Sequence, residues 1–213
     1  MTLDLSVDEV LTTTRAVRKR LDVSRPVSRA LLEECLELAL QAPNGSNRNE
    51  WRWIIADDPA VIGKLADEYR TAMGFVQHDE EPSRMYLSGK TPGEDKLLES
   101  AFALPAKLDK MPAILIPLMP GRSEASDAGE QAAMWGSILP AVWSFLLALR
   151  SRGLGSVWTT VASRREREIA QLLGIPYEDY TQVGLFPVAY TIGTDFKRAW
   201  RKPVAEVLTY NGF

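Results

Sequence analysis

Residues 41–53 read QAPNGSNRNEWRW and separate an apolar helical pattern from an apolar strand pattern. Pro43 ends the helix, because a proline disfavours the αR conformation of the residue before it. The run Asn44–Asn47 suits a turn, since Gly and Asn both tolerate positive φ. From Trp51 the chain continues as a strand. The stretch is therefore either an ordinary helix-to-strand connection or a ligand-binding loop whose side-chain amides need partners.

The composition favours one globular domain. The chain has 213 residues, of which 46% are hydrophobic, so we expect a single domain with one substantial core over residues 1–213. The net charge of −3 and the pI of about 5.4 do not suit a general nucleic-acid binder. The one cysteine, Cys35, falls on the apolar face of a helical pattern, which indicates a core residue and excludes a disulfide within the chain.

The sequence predicts no association with a membrane. Residues 1–10 carry acidic side chains and no long apolar run, so they do not have the character of a signal peptide. We find no stretch of about 18 apolar residues, the length that a spanning helix needs. Together with the single cysteine, these features make a cytoplasmic location the simplest interpretation.

Metal and nucleophile chemistry lack the necessary residues. With one Cys and one His, His78, the chain cannot supply a zinc site of the usual type, so no metal ligand is predicted. No residue near His78 supports a Ser-His or Cys-His pair, and no catalytic side chain is predicted. Neither a GxGxxG loop after the first strand nor a GxxxxGK[ST] loop is found. If the protein is an enzyme, a cofactor is expected to perform the chemistry.

Helices and strands alternate along the chain without regular βα repeats. Helical patterns cover residues 6–13, 29–41, 60–73, 131–150 and 163–173, and strand patterns cover residues 51–55, 112–118, 156–160 and 186–192. Ser6 with Glu9, and Ser163 with Glu166, have the spacing of a capping box. Gly174 is predicted to end the last helix in the αL conformation. The helix at 131–150 is apolar nearly all round, which indicates a central position or a subunit interface.

The middle of the chain and its end give weaker signals. Residues 74–105 are rich in Gly, Pro and charge, and form either a lid over a pocket or a surface excursion. Their aromatic residues Phe75, Tyr86 and Phe102 either line a substrate pocket or pack ordinarily. Residues 204–213 are predicted to form a short helical turn and a final strand.

Two basic clusters lie far apart in the sequence, at residues 15–20 and 197–202. Arg15 and Arg18 are three residues apart and would share one face of a helix. A pair of guanidinium groups there could grip a phosphate through bidentate hydrogen bonds. The alternative is a solvated basic surface.

Four separated motifs resemble those of the FMN-dependent nitroreductase family. Thr14–Arg18 (TRAVR) is similar to the family's Arg-Arg-Ser-x-Arg run, and residues 42–53 are similar to its APSxxNxQPWxF loop. Residues 152–158 resemble the Gly-Leu-Gly that follows the family's long helix. Residues 201–207 resemble its C-terminal Arg-x-Pro-x-x-Glu-Val. The resemblance covers nearly the whole chain outside residues 74–105.

The resemblance implies an α+β, nitroreductase-like fold with a mostly antiparallel central sheet flanked by helices, in an intertwined homodimer. FMN would lie at the dimer interface, the long helix would pack there, and the C-terminal segment would reach across to the partner's sheet. The implied cofactor-binding residues are Arg15, Ala16, Arg18, Pro43, Asn44, Gly45, Asn47, Asn49, Trp158, Thr159, Thr160, Val161 and Arg201.

The implied roles differ along the chain. Arg15, Arg18 and Arg201 would hold the phosphate or ribityl chain, and the loop at 43–49 would contact the ribityl and ring system. The backbone N–H groups of residues 160–161 would face flavin N5.

The chain departs from the family pattern at several of these positions. Ala16 stands where Ser is usual, Asn49 where Gln is usual and Glu50 where Pro is common. Residues 160–161 are Thr-Val, where many members carry Glu-Gly or Gly-Gly. These changes bear on flavin tuning and substrate range more than on flavin binding.

The function that this resemblance implies is that of a flavoprotein oxidoreductase. Hydride would pass from NAD(P)H through FMN to a flat, electron-poor acceptor such as a nitroaromatic or a quinone, with ping-pong kinetics. Three alternatives stay open. One is a relative with other flavin chemistry, such as dehalogenation, flavin cleavage or deazaflavin use. Another is a protein that sequesters FMN with weak reductase activity, and the third is a small-anion sensor without flavin.

Overall fold

The computed structural model describes residues 2–78 and 94–213. Its helices are α1 (Val7–Thr13), α2 (Arg29–Ala39), α3 (Pro59–His78), α4 (Glu94–Phe102), α5 (Ala128–Ser151) and α6 (Glu166–Leu173). Its strands are β1 (Leu21–Asp22), β2 (Arg52–Ala56), β3 (Ala113–Pro120), β4 (Leu154–Ser156), β5 (Tyr180–Gln182) and β6 (Phe186–Thr191). Short 3-10 helices occupy Gly45–Asn47, Leu108–Lys110, Ser123–Ala125, Val161–Arg165 and Val204–Glu206.

The strands form one antiparallel sheet. Its order is β1-β6-β3-β2, with β4 paired to β6 and β5 paired to β3. The register places Ile54 opposite Ile116 and Ala113 opposite Val188. The α+β fold with a mostly antiparallel sheet is therefore confirmed.

Helices cover both faces of the sheet. Along β3, Ile114 and Ile116 belong to one buried apolar cluster while Ala113 and Leu115 belong to another, because successive side chains of a strand point to opposite faces. Residues of α3 and α6 complete the first cluster, and residues of α2 and α5 complete the second. Burial on both faces explains why β3 is a continuous apolar run.

The helical patterns predict helices where the structure has them, and the ends differ by a few residues. The Ser6–Glu9 capping box is present, with the Ser6 backbone N–H donating to Glu9 Oε2 at 2.7 Å. Helix α5 begins at Ala128 and not at residue 131, because Asp127 and Glu130 form a capping box at its start. Gly174 ends α6 in the αL conformation with φ of 68°, as predicted.

Two predictions about residues 156–166 are wrong. The strand there is β4, which ends at Ser156; beyond it, only an isolated bridge joins Thr159 to Leu185. Ser163 does not cap α6, because it lies inside a 3-10 helix and the N-cap residue is Arg165, which makes no side-chain cap bond. The capping pattern fails because the sequence does not show that the chain already turns as a 3-10 helix before α6.

The remaining differences lie in the middle and at the end of the chain. Helix α3 extends to His78, beyond the predicted residue 73, and α4 lies within the segment 74–105 that was interpreted as a lid or a surface excursion. Tyr86 and the side chain of Phe75 lie outside the described residues. No strand follows the 3-10 helix at Val204–Glu206 in the described C-terminal residues, so the predicted final strand is wrong.

Helix α5 is long and apolar enough, by length and composition, to cross a membrane, so the expectation that the chain has no apolar stretch of about 18 residues is wrong. The same properties belong to the central helix of many soluble proteins. Here Ile138, Val142 and Phe145 are buried against residues of α2 and the sheet. This packing is that of a core helix.

Candidate functional site

The basic segment 15–20 follows α1 and lies outside any helix, so Arg15 and Arg18 do not share a helical face. Backbone and side-chain bonds fix its path. The Val17 N–H donates to the Ser156 carbonyl at 2.8 Å, and the Ile192 N–H donates to the Arg20 carbonyl at 2.8 Å. The segment is thus held between β4 and the end of β6. Two of its charges are already paired, Lys19 with Glu99 and Arg20 with Asp195.

Lys107 clamps the same segment from the opposite side. Its ammonium group donates to the Lys19 carbonyl at 3.0 Å and to the Leu21 carbonyl at 3.1 Å. Burial lowers the pKa of Lys107, and the nearby Asp22 carboxylate opposes this effect. This role is not visible in the sequence, because residues 107 and 19 are brought together only by the fold.

The two basic clusters meet in a cleft of about 380 Å³. Residues 15–20 form one wall, and residues 195–197 form another. Arg15 Nη1 donates to the Lys197 carbonyl at 2.5 Å, which joins the start of the second cluster to the first. Arg201 is exposed, donates to the Trp200 carbonyl at 2.7 Å and does not line the cleft.

A smaller slot of about 80 Å³ adjoins the cleft, and Arg18 lines both. Aromatic and apolar side chains form much of its wall, among them Tyr69, Met73 and Phe102. Residues 158–161 form the remaining wall. A cationic cleft beside an apolar slot suits a ligand with an anionic group at one end and a flat ring at the other.

Trp158 is held rigidly at the edge of this slot. Its indole N–H donates to the Val183 carbonyl at 2.9 Å, and its ring stacks on Phe186 with centroids 5.8 Å apart. The side chain nevertheless keeps 40% of its surface exposed. Gly184, with φ of 147°, makes this position possible, because a Cβ there would lie 2.5 Å from Trp158 Nε1. An exposed aromatic ring fixed in place is typical of a binding surface.

Thr159 contributes a buried hydroxyl that has no hydrogen-bond partner. Buried polar groups are nearly always bonded, so an unpaired one beside a slot indicates a ligand atom as its partner. Immediately after it, Val161–Arg165 forms a 3-10 helix whose first N–H groups have no partner within the helix. The stretch at 159–161 therefore presents several donors in one place.

The loop at residues 43–49 lies elsewhere. It lines a cavity of about 450 Å³ together with the N-terminal half of α5, and this cavity shares no lining residue with the cleft or the slot. The Gly45 N–H donates to Ser137 Oγ at 2.9 Å, which fixes the loop to α5. Ser137 is a site residue that the sequence did not reveal, since its pattern is that of any polar residue on a helix.

The amides of this loop satisfy one another. Asn49 donates from its backbone N–H to Asn44 Oδ1 at 3.0 Å, and Asn44 Nδ2 donates to Asn49 Oδ1 at 3.1 Å. Ser46, Asn47 and Asn49 all have positive φ, between 52° and 54°. Strained residues of this kind persist where surrounding bonds hold them, and they cluster at functional sites. The predicted need of the amides for partners is thus met within the loop.

The described residues contain no group of three or more His, Cys, Asp or Glu side chains placed to hold a metal ion. Burial raises the pKa of the Cys35 thiol to about 11, so this cysteine is protonated and inert at neutral pH.

The profile described as "Nitroreductase family" matches residues 11–190, most of the chain. The chain belongs to the nitroreductase family. A curated relative of this nitroreductase-family protein, "NADH dehydrogenase" of Thermus thermophilus, is 29% identical over 187 residues, covering 78% of this chain and 81% of the relative.

Solved structures share the fold of this nitroreductase-family chain. One is the FMN and NADPH-dependent nitroreductase NfnB from sphigopyxis sp. strain HMH, with a TM-score of 0.71, 20% identity, and coverage of 98% of this chain and 100% of that one. Another is the nitroreductase-like family protein from Bacillus cereus, with a TM-score of 0.68, 22% identity and full coverage of both chains. A third is iodotyrosine deiodinase bound to FMN and 3-iodo-L-tyrosine, with a TM-score of 0.70, 24% identity, and coverage of 95% and 98%.

The residues of this nitroreductase-family chain fit an FMN molecule. The cleft supplies cationic groups for a phosphate, the slot supplies an apolar wall for a ring, and the unpaired Thr159 hydroxyl supplies a polar contact between them. Membership of the family supports an oxidoreductase.

Proposed function

We propose that this protein is an NAD(P)H-dependent FMN oxidoreductase. One observation carries the proposal: Arg15 reaches Lys197, 182 residues away, so that two basic segments share one cleft beside the slot at residues 158–161. A phosphate carries about two negative charges, and convergent guanidinium and ammonium groups offset them. The alternative, a solvated basic surface, does not explain why the basic cleft adjoins an apolar slot.

Each proposed contact follows from the position of a residue. Arg15 and Arg18 bind the phosphate or ribityl chain. Arg201 does not line the cleft of its own chain and is assigned to the phosphate by its place in the C-terminal motif. Ala16 lines the cleft with a methyl group and offers no hydroxyl to the cofactor. The Thr159 hydroxyl and the N–H groups of residues 160–161 bind the ring edge.

When bound, FMN would supply the redox chemistry, accepting hydride from NAD(P)H and passing electrons to a flat, electron-poor acceptor such as a nitroaromatic or a quinone. The residues of the chain hold and orient the cofactor and shield it from water. Trp158 offers a fixed aromatic surface for a flat ring, and Tyr69 and Met73 exclude water from the slot. We assign no side chain as a catalytic acid or base.

We propose a homodimer as the functional unit. The loop residues Pro43, Asn44, Gly45, Asn47 and Asn49 would then contact the FMN held by the other subunit, since within one chain they lie apart from the cleft. The C-terminal segment of the described chain is exposed along its length, and its large apolar side chains need a partner. They are Trp200, Val204, Val207, Leu208, Tyr210 and Phe213.

Other features support the same assembly. Trp143 on α5 keeps 43% of its surface exposed, on a helix whose other face packs against α2 and the sheet. Strand β2 ends the sheet order, so one of its edges has no partner strand in the described residues. An open edge invites pairing with another chain. We further propose that the protein is a single cytoplasmic domain.

Steady-state kinetics test the mechanism. Initial rates measured over a grid of NADH or NADPH and a quinone acceptor are expected to give parallel double-reciprocal lines, because donor and acceptor use the same face in turn. Intersecting lines would contradict a mechanism in which donor and acceptor bind in turn. FMN binding without turnover for any donor would favour sequestration, and loss of iodide from a halogenated aromatic would favour dehalogenation.

A further inference from the structure

Arg150 is a buried cation without a buried anion. It lies in the last turn of α5 with only 5% of its surface exposed. Its Nε donates to Thr13 Oγ1 at 3.0 Å and its Nη2 donates to the Thr194 carbonyl at 3.0 Å. Its guanidinium carbon lies 5.0 Å from the centre of the Phe196 ring. All of these partners are neutral.

The third nitrogen of the guanidinium group, Nη1, is buried and has no hydrogen-bond partner within residues 2–78 and 94–213. Ser156 Oγ is also buried without a partner, on a residue that is 5% exposed. Both residues line the same small cavity, whose free volume is about 10 Å³. That volume holds about one small particle.

The hydrogen-bonding groups of Arg150 and Ser156 determine which particle can occupy this cavity. Nη1 of an arginine can only donate, and a serine hydroxyl can donate to the same atom. The site therefore needs a single compact acceptor. A water molecule would meet the hydrogen bonds and leave the charge of Arg150 uncompensated, whereas a monatomic anion would meet both needs.

The groups around Arg150 leave its positive charge without an opposite charge. A charge that leaves water without an opposite charge is strongly disfavoured. Burial lowers the pKa of Arg150, and the positive charge of Arg20 lowers it further. The C-terminal dipole of α5 and the face of Phe196 offer only partial negative charge. Arg15 adds a further positive charge to the cavity wall, and the Asp195 carboxylate of the adjacent segment is paired with Arg20 at 2.7 Å.

We propose that Arg150 and Ser156 bind a halide ion, which is chloride in the cell. The ion accepts from Arg150 Nη1 and from the Ser156 hydroxyl. It links α5 and β4 to the segment at Thr194–Phe196, from which the C-terminal residues depart. This cavity adjoins the proposed flavin cleft, because Arg15 and Phe196 line both, but neither Arg150 nor Ser156 is among the proposed flavin contacts.

The first test is thermal unfolding of the full chain, as purified, at constant ionic strength with chloride exchanged for gluconate. Chloride and bromide are expected to raise Tm in proportion to ln(1 + [halide]/Kd), by about 3–5 °C at a halide concentration tenfold above Kd. Arg150→Met is expected to abolish the response. Arg167→Met, which changes an exposed arginine on α6, is the matched control and keeps it.

Ser156→Ala is a second test, which stays informative if the Arg150 variant does not fold. It retains the cation, removes one donor and is expected to raise the half-saturating chloride concentration several-fold. In crystals grown with bromide, an anomalous peak is expected within hydrogen-bond distance of Arg150 Nη1 and Ser156 Oγ. Identical Tm values in chloride and gluconate, with no bromide peak in the cavity, would overturn the proposal and assign the cavity to water.

Discussion

At the scale of single residues, Gly184 determines where Trp158 can lie. Its φ of 147° is a backbone conformation that residues with a side chain rarely adopt. A Cβ at this position would also lie only 2.5 Å from Trp158 Nε1, so there is no space for a side chain. The Thr159 carbonyl would lie 2.9 Å from the same Cβ. One glycine therefore sets the path of the stretch at 158–161 that forms the wall of the slot.

We predict that Gly184→Ala destabilises the protein by about 2–4 kcal/mol, because strain and a steric clash act together. Urea unfolding followed by fluorescence measures this change. Gly63→Ala in α3 is the control. No atom lies within 4 Å of its new Cβ, so this variant is expected to gain up to about 1 kcal/mol from helix propensity. Equal effects of the two substitutions would contradict the role given to Gly184.

Arg18 and Arg201 carry a second prediction at this scale. Arg18→Ala or Arg201→Ala is expected to weaken FMN binding by about 1.5–3 kcal/mol, the typical contribution of a hydrogen bond to a charged group. Titration of the apoprotein with FMN by fluorescence measures the loss. Arg167→Ala on the exposed face of α6 is expected to bind FMN as the unchanged protein does. Unchanged affinity in both test variants would refute the phosphate assignment.

The sequence reveals some site residues and hides others, for a physical reason. Arg15 and Arg18 stand out because clustered charge is visible in the sequence. Ser137 and Lys107 do not, because they act only through contacts with residues more than 80 positions away. Arg150 also could not be predicted, since a cation near a helix C-terminus is ordinarily a solvated one.

At the scale of secondary-structure elements, the loop after β3 is joined to α6 by a half-buried ion pair. Arg122 donates to both carboxylate oxygens of Glu166, at 3.0 and 2.9 Å. Glu166 also accepts from the Gln182 N–H at 2.8 Å, which adds β5 to the junction. The Glu166 carboxylate raises the pKa of Arg122 above its usual value.

We predict that Glu166→Gln destabilises the protein by about 3 kcal/mol, because it leaves the shielded charge of Arg122 without its principal partner. Chemical denaturation measures the difference. Glu178→Gln is the matched control, since its pair with Arg167 spans 3.6 Å on an exposed surface and is expected to change stability by less than about 1 kcal/mol. Similar losses of unfolding free energy in the two variants would show that the Arg122–Glu166 pair contributes no more than an exposed ion pair.

Elements are predictable where local chemistry decides them. Amphipathic spacing places α2, and a reciprocal Ser6–Glu9 bond sets the start of α1. The same Ser-x-x-Glu spacing at Ser163 fails, because Glu166 is taken by Arg122 from another part of the chain. Tertiary contacts of this kind override a local pattern, and a single sequence does not display them.

At the scale of the whole molecule, the proposed site is divided between two surfaces. The cleft and the slot lie together, while the loop at 43–49 lies over α5 in a separate cavity. The four motifs in order predicted the fold, which the structure and the family match confirm. Their order along the chain could not show that the motifs separate into two groups in space.

We predict a homodimer, with a mass of about twice the 23.7 kDa of the chain. Sedimentation velocity at micromolar concentration measures it. Trp143→Glu places a charge on the exposed apolar part of α5 and is expected to shift the protein toward monomer. Lys64→Glu, an exposed change on α3, is expected to leave the dimer intact. A monomeric unchanged protein would remove the argument for a shared site.

The central claim is that the chain binds FMN and reduces it with a nicotinamide cofactor. The most direct test is the visible absorption spectrum of the protein after addition of FMN and removal of excess, recorded anaerobically before and after NADH or NADPH is added. We predict a yellow protein whose flavin absorption bleaches with at least one of the two donors. A colourless protein that does not retain added FMN would contradict the account, and retained flavin that neither donor bleaches would contradict the proposed activity.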